Sequence, residues 1–187
     1  MGERQGQPAL LIGGAVQSVV WRPGLPIDGY WEAMLPPDCP RRALLLGLGG
    51  GTIATLLATR CASVHIVGVE YSTQVLELAR TSFGLDKIAN LEIVIGDARQ
   101  VIYQIAGPFD YIALDLYVGG TIATGALSAP FLRALATRLT PGGSVSVNLV
   151  RTRRLERQLQ RLARVFRVLE PVEVNDNVVV RCRDPGR

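Results

Sequence analysis

With 187 residues, 48% of them apolar, 20 glycines and a formal charge of +4 that is nearly all arginine, the chain suits one α/β domain and is too apolar for disorder. Cys39, Cys61 and Cys182 are few, odd in number and far apart, and His65 is the single histidine. A zinc site and a disulfide framework are therefore both disfavoured, no metal is expected, and a reducing cytoplasm is the expected compartment. The opening MGERQGQPALLIGG has too short an apolar run for a signal peptide, and no stretch approaches the roughly 20 apolar residues of a membrane span.

In chain order, Leu10 to Ile12 and Ala15 to Trp21 read as strands joined by Gly13-Gly14, a small hairpin. Pro23, Pro26, Pro36, Pro37 and Pro40 then punctuate the chain around Asp28 to Met34, a short helical or turn segment that either covers a pocket edge or caps a sheet. Ala43 to Leu48 is a continuous apolar run ending in glycines, the mark of a strand buried on both faces. Thr52 to Cys61 is helical, with Ile53, Leu56 and Leu57 inward, and Val64 to Val69 is the second strand, ending at Glu70. Ser72 caps a helix over Thr73 to Ser82 that Gly84 terminates.

Leu91 to Ile95 is the third strand, followed by Gly96-Asp97, and Phe109 to Leu114 the fourth, ending at Asp115. Ser128 to Leu139 reads as a helix stopped by Thr140-Pro141-Gly142-Gly143, and Ser144 to Leu149 as the fifth strand. Arg153 to Phe166 is a periodic helix with Leu155, Leu159, Leu162 and Phe166 on one side. Val168 to Val174 and Val178 to Arg181, joined by Asn175-Asp176-Asn177, predict an antiparallel pair at one sheet edge. The expected fold is thus a Rossmann-like α/β domain over 41–187, a mostly parallel seven-stranded sheet ending in an antiparallel hairpin, preceded by a short hairpin segment over 1–40.

The strongest local signal is the run Leu44 to Thr52, in which a strand feeds the turn Gly49-Gly50-Gly51 and then a helix. Such a turn brings backbone N–H groups close to a ligand. Glu70, about twenty residues on at the end of the next strand, is placed to accept hydrogen bonds from ribose hydroxyls. Asp97 and Asp115 also fall at strand ends, so one rim carries three acids, which favours an amine or cationic ligand over a dinucleotide's pyrophosphate. The plainer alternatives are helix–sheet packing for the glycines, capping for Asp97 and turn formation for Asp115.

These runs, Leu46 to Thr52, Val69-Glu70, Gly96 to Arg99 and Phe109 to Asp115, resemble the class I S-adenosylmethionine-dependent methyltransferase fold, and more narrowly the spermidine synthase (polyamine aminopropyltransferase) family. The segments Ala126 to Leu132, Leu139 to Gly143 and Val147 to Leu149 are similar to that family as well. The resemblance implies that Gly47, Gly49, Gly50 and Gly51 border the methionine and ribose portion of S-adenosylmethionine or its decarboxylated form. It places Glu70 on the ribose, Asp97 with Ala98 at the adenine, and Gln17 on the cofactor side. Tyr30 becomes a pocket tyrosine and Asp115 the acid that engages the attacking amine, with Tyr117 either shaping the acceptor site or packing on its loop.

Three departures stand out: Leu116 to Gly120 lacks the family's second acid, Trp31 replaces a histidine, and Thr52-Ile53 stands where the glycine motif usually carries an acid. The function implied is aminopropyl transfer from the decarboxylated donor to an amine. The alternatives are a small-molecule methyltransferase on the same scaffold and a non-catalytic nucleotide-binding or interaction protein. Homodimerisation is a family expectation. Arg154, Arg157, Arg161 and Arg164 form a stripe read as a solvated helix face, so nucleic acid is not expected as a partner.

Overall fold

The computed structural model describes every residue except Gln5, Pro23, Leu25, Asp28 and Arg187, so the expected proline break at Pro23 and the start of the Asp28–Met34 segment lie outside the described residues. Strands β1 (Gly2–Arg4), β2 (Gln7–Ile12) and β3 (Ala15–Val19) form a small antiparallel sheet, one strand more than the expected hairpin. The turn between β2 and β3 is Gly13-Gly14, both at positive φ (58° and 80°), where side-chain-bearing residues would be strained.

The main sheet comprises β4 (Arg42–Leu46), β5 (His65–Glu70), β6 (Leu91–Ile95), β7 (Phe109–Leu114), β10 (Leu139–Val150), β11 (Phe166–Val174) and β12 (Asn177–Pro185). A two-stranded ribbon, β8 (Tyr117–Val118) and β9 (Thr121–Ile122), follows β7. The helices are α1 (Thr52–Arg60), α2 (Thr73–Phe83), α3 (Ala98–Val101), α4 (Ala129–Thr137) and α5 (Leu155–Ala163). Strand order is β11-β12-β10-β7-β4-β5-β6. β10, β7, β4, β5 and β6 run parallel, while β12 runs against both its neighbours. The seven-stranded, mostly parallel sheet with a terminal antiparallel hairpin is therefore present. Its last strand is inserted beside β10, leaving β11 at the edge.

Alternation along β4 explains its uninterrupted apolar sequence. Leu44 and Leu46 pack on one face with Phe131, Leu132 and Leu135 of α4 and Leu162 of α5. Ala43 and Leu45 pack on the other with Ile53 and Leu57 of α1 and Leu76 and Ala79 of α2. That second face is completed by the N-terminal segment, whose Trp31, Met34 and Leu35 are buried against it. The Tyr111 hydroxyl donates to the Met34 carbonyl, and Arg181 Nη2 donates to the Leu35 carbonyl at 3.0 Å. Burying side chains of this size stabilises by roughly 1.5–3 kcal/mol each, so the segment belongs to the core.

Local signals are mostly realised, with shifted ends. Ser72 caps α2 by accepting from Val75 N, and Gly84 closes it at φ 73°. α4 stops at Thr137, two residues before its expected end at Leu139, and the Thr140 to Gly143 stretch expected to end it already lies in β10, with an irregularity in pairing before Ser144. α5 is shorter than its periodicity suggests: Phe166 opens β11, buried but not helical. The turn between β11 and β12 needs only Asn175 and Asp176, since Asn177 already pairs with Val174.

The cysteine reading is corrected. Cys39 and Cys61 form a disulfide, with Cα atoms 5.4 Å apart, because the extended segment before β4 returns to the C-terminus of α1. Twenty-two positions of separation concealed this pairing, and the argument for a reducing compartment loses the support it drew from distant cysteines. Cys182 is a free thiol, which burial pushes up to about 12. Among the described residues, no helix is long and apolar enough to cross a membrane.

Candidate active site

The strand order reverses beside β4, with β5 and β6 on one side and β7 and β10 on the other, and ligands bind at such switch points outside the carboxyl ends of the strands. Register brings those ends level: Leu46 pairs with Val69 and Leu114, and Glu70 with Ile95. The residues immediately beyond, Gly47, Asp97 and Asp115, therefore share one rim with Glu70. A cleft of about 410 Å³ opens there, within the range of roughly 300–1,000 Å³ usual for small-molecule sites. Of the expected site residues, Gln17, Gly47, Gly49, Glu70, Asp97, Ala98, Asp115 and Tyr117 line it, together with Leu48, Ile53, Val69 and Val75 as apolar walls.

Gly50 and Gly51 are placed differently. A Cβ on Gly50 would meet Ser18 at 2.7 Å and one on Gly51 would meet Leu85 at 2.4 Å, so these glycines permit the hairpin and the turn after α2 to close against the loop. The turn's N–H groups are also already engaged. Gly49 N donates to Glu70 Oε2 at 2.9 Å, Gly50 N to Ser18 Oγ at 2.8 Å and Gly51 N to the Leu48 carbonyl at 3.0 Å. The turn expected to bring backbone N–H groups close to a ligand thus directs these three to partners within the chain. Thr52, where the family usually has an acid nearby, borders the cleft but turns its hydroxyl to the chain itself. It is buried, donates to the Val19 carbonyl and accepts from Val19 N, tying β3 to the start of α1.

Glu70 is braced at both oxygens, since Ser72 N donates to Oε1 at 3.0 Å, and it remains half-exposed toward the cleft. Asp97 both caps α3, by accepting from Arg99 N, and lines the cleft, so the two readings of that residue coexist. Its carboxylate is gripped by Arg99 through Nε at 2.9 Å and Nη2 at 2.6 Å. That side-chain hydrogen bonding holds it below the usual carboxylate range. Arg99 Nη1 also donates to the Thr124 carbonyl, pinning the loop after β9 to the Asp97 turn. The count of three rim acids thus overlooked a cation: Asp97 is paired with Arg99, the one cationic side chain among the described residues lining the cleft.

Asp115 is the most elaborately held of the three. Tyr30 Oη donates to Oδ2 at 2.7 Å and Asn148 Nδ2 to Oδ1 at 2.9 Å. Asn148 is in turn oriented by Asn177 Nδ2, 2.8 Å from its Oδ1, and its carbonyl accepts from Tyr117 Oη at 3.1 Å. Burial raises the Asp115 carboxyl above its ordinary value, and the Asn148 and Tyr30 donors pull it partly back. Burial, then the charge of Asp115, raises the Tyr30 phenol well above its usual value, so Tyr30 stays a donor. Tyr30 does not itself line the cleft; it backs Asp115, with its ring 5.0 Å from that of Trp31, which does.

Asn148 received no role from sequence, although it is a buried amide inside the apolar run Val145 to Leu149. A polar residue in a two-face-buried strand was the available signal, because such a group must find partners. Ser18 and Arg99 gave no comparable signal.

The cleft thus combines a half-exposed carboxylate at the end of β5, apolar walls, and a second, hydrogen-bonded carboxylate just beyond β7. Residues 41–177 match the family model of the methyltransferase domain. The chain belongs to that family.

The curated relatives it resembles are polyamine aminopropyltransferases. Polyamine aminopropyltransferase 2 of Hyperthermus butylicus is 33% identical over 155 residues, an alignment covering 73% of this chain and 48% of that protein. The chain spans 48% and 57% of the length of two of these relatives and as little as 25% of others. A probable spermidine synthase from Corynebacterium glutamicum superimposes with a TM-score of 0.69 at 21% identity, covering 76% of this chain and 56% of that one. Human methyltransferase-like protein 13, solved with SAH, gives 0.68 at 24% identity, covering 77% and 72%. These two likenesses establish the fold.

Proposed function

We propose that the chain is an aminopropyltransferase-type enzyme that moves an alkyl group from decarboxylated S-adenosylmethionine to an amine, with Asp115 as the acid that receives the acceptor. The observation that carries the choice of donor is the engagement of the Gly49, Gly50 and Gly51 amides by Glu70, Ser18 and Leu48. A donor with an intact carboxylate would need donors or a cation at this end of the cleft. Arg99, the one cationic side chain among the described residues lining it, is already bound to Asp97 and the Thr124 carbonyl. A donor lacking the carboxylate makes no such demand.

Bound in the cleft, the donor's sulfonium makes the adjoining carbon electrophilic, so the protein's task is to position and deprotonate the nucleophile. An aliphatic ammonium, with an ordinary pKa near about 10, must lose a proton before its lone pair can attack. Asp115, rigidly oriented by Tyr30 and Asn148, orients the ammonium and relays that proton to solvent. The amine nitrogen then bonds to carbon while the carbon–sulfur pair returns to sulfur, leaving a neutral thioether. Glu70 holds the ribose hydroxyls meanwhile.

Calorimetry with the decarboxylated donor, S-adenosylmethionine and methylthioadenosine tests the reading. The decarboxylated compound is expected to bind at least about tenfold more tightly than S-adenosylmethionine. The reverse order would support methyl transfer on the same scaffold, and no binding of any of the three would overturn both.

The mechanism also predicts a pH effect. Tyr30→Phe removes a donor that lowers the Asp115 carboxyl, so the acid limb of kcat/KM moves to higher pH. At neutral pH kcat/KM should fall by about tenfold, the weight of one hydrogen bond to a charged group. An unmoved acid limb would remove Tyr30 from control of Asp115.

A further inference from the structure

Asp115 stands alone as an acid at the acceptor end of the cleft. Among the described residues lining the cleft the carboxylates are Glu70, Asp97 and Asp115. The first is bound to the Gly49 and Ser72 amides at the donor end, and the second is neutralised by Arg99. Around Asp115 the wall is instead Trp31, Leu116 and the ring of Tyr117, then Val118 and Ile12.

Those last two mark a mouth formed by two hairpin tips. A Cβ built on Gly13, next to Ile12, would lie 3.9 Å from the Cα of Gly119, next to Val118. Val118 is 71% exposed and Ile12 40% exposed, although both line the cleft. Two aliphatic side chains therefore face water at the exit from a carboxylate, in a position where an alkyl chain would cover them.

We infer that the acceptor is a primary monoamine with an apolar chain, its ammonium on Asp115 and its methylenes running past Trp31, Leu116 and Val118 to the Ile12–Val118 mouth. This rests on the alkyl-transfer reading above for the identity of the nucleophile. A diamine would carry a second ammonium along walls that offer it no carboxylate, so it gains no ion pair there and keeps its hydration only by giving up apolar contact. An added methylene, by contrast, gains apolar contact. At about 0.8 kcal/mol for full burial, each one multiplies affinity by up to about fourfold.

The test compares n-propylamine to n-hexylamine with 1,4-diaminobutane and 1,5-diaminopentane. Two readouts are needed: kcat/KM with the decarboxylated donor, and calorimetric affinity with methylthioadenosine bound. Monoamines should improve about two- to fourfold per methylene, and n-pentylamine should exceed 1,5-diaminopentane by at least about tenfold in both readouts. Val118→Asp, which places a carboxylate at the exposed mouth, should move that ratio at least about tenfold toward the diamine. A wild-type preference for the diamine, or no response to Val118→Asp, overturns the inference while leaving alkyl transfer standing. Monoamine-selective binding without turnover overturns alkyl transfer while leaving the acceptor class standing. Absence of amine binding overturns both.

Discussion

Asp115→Asn should lower turnover by about 10²–10⁴-fold, the range for losing a positioned general base, with donor affinity changed by less than about threefold. Asparagine keeps the shape and can still accept from Tyr30 or Asn148, but it can neither balance an ammonium nor take its proton. The same variant should be as stable as the parent at neutral pH, or more so. Burial raises the Asp115 carboxyl above its unfolded value, so its ionisation opposes folding once the pH exceeds the ordinary carboxylate range. The contribution of the protonated acid is complete below that range and is lost as pH rises through the folded value. Relative to the parent, Asp115→Asn should therefore gain stability with rising pH, read as Tm between pH 4 and 8. An unchanged turnover would remove Asp115 from the mechanism, and a Tm deficit at neutral pH would mean that its hydrogen bonds outweigh its desolvation.

Gly47→Ala is expected to be the most damaging single methyl group in the site. Gly47 sits at φ 91°, and a Cβ there would lie 2.2 Å from the carbonyl oxygen of Asp115 and 2.9 Å from its carbonyl carbon. The obstacle is backbone, held by Asp115 N donating to the Leu46 carbonyl at 2.9 Å, so no rotamer relieves it. A left-handed conformation alone costs about 1–2 kcal/mol for a residue with a Cβ. With the clash, the loss should reach about 2–4 kcal/mol, or roughly 5–15 °C in Tm for a chain of this length. Gly119→Ala is the control: φ is 56° but no atom lies within 4 Å, so only the conformational part should appear. Equal losses in the two variants would show that the close approach of β4 to β7 carries no weight.

Much of the scaffold is legible in local sequence signals. The apolar run from Ala43, the Ser72 cap, the Gly84 stop and the asparagine-rich terminal turn are of this kind, and each leads to the expected element. Errors gather where a local rule meets a long-range one. The apolar periodicity through Phe166 suggests more helix, but Phe166 pairs with Pro185 in the sheet. Pro141-Gly142-Gly143 reads as a helix stop, yet it is an irregular start to β10. Cys39 and Cys61 look remote because only the fold returns the N-terminal segment to α1.

By itself the sequence determined the alternation of strands and helices, the glycine turn after the first core strand, and the three acids at strand ends. Backbone propensity and hydrophobic period act over a few residues and need no partner elsewhere. Only the tertiary structure decided which polar groups are already engaged: the turn amides by Glu70, Ser18 and Leu48, Asp97 by Arg99, and Asp115 by Tyr30 and Asn148, 85 and 33 positions away. Such hydrogen bonds depend on the order and register of strands far apart in the chain. They convert a rim of three acids into a carboxylate braced by two backbone amides, a neutralised pair, and one acid held by a phenol and an amide.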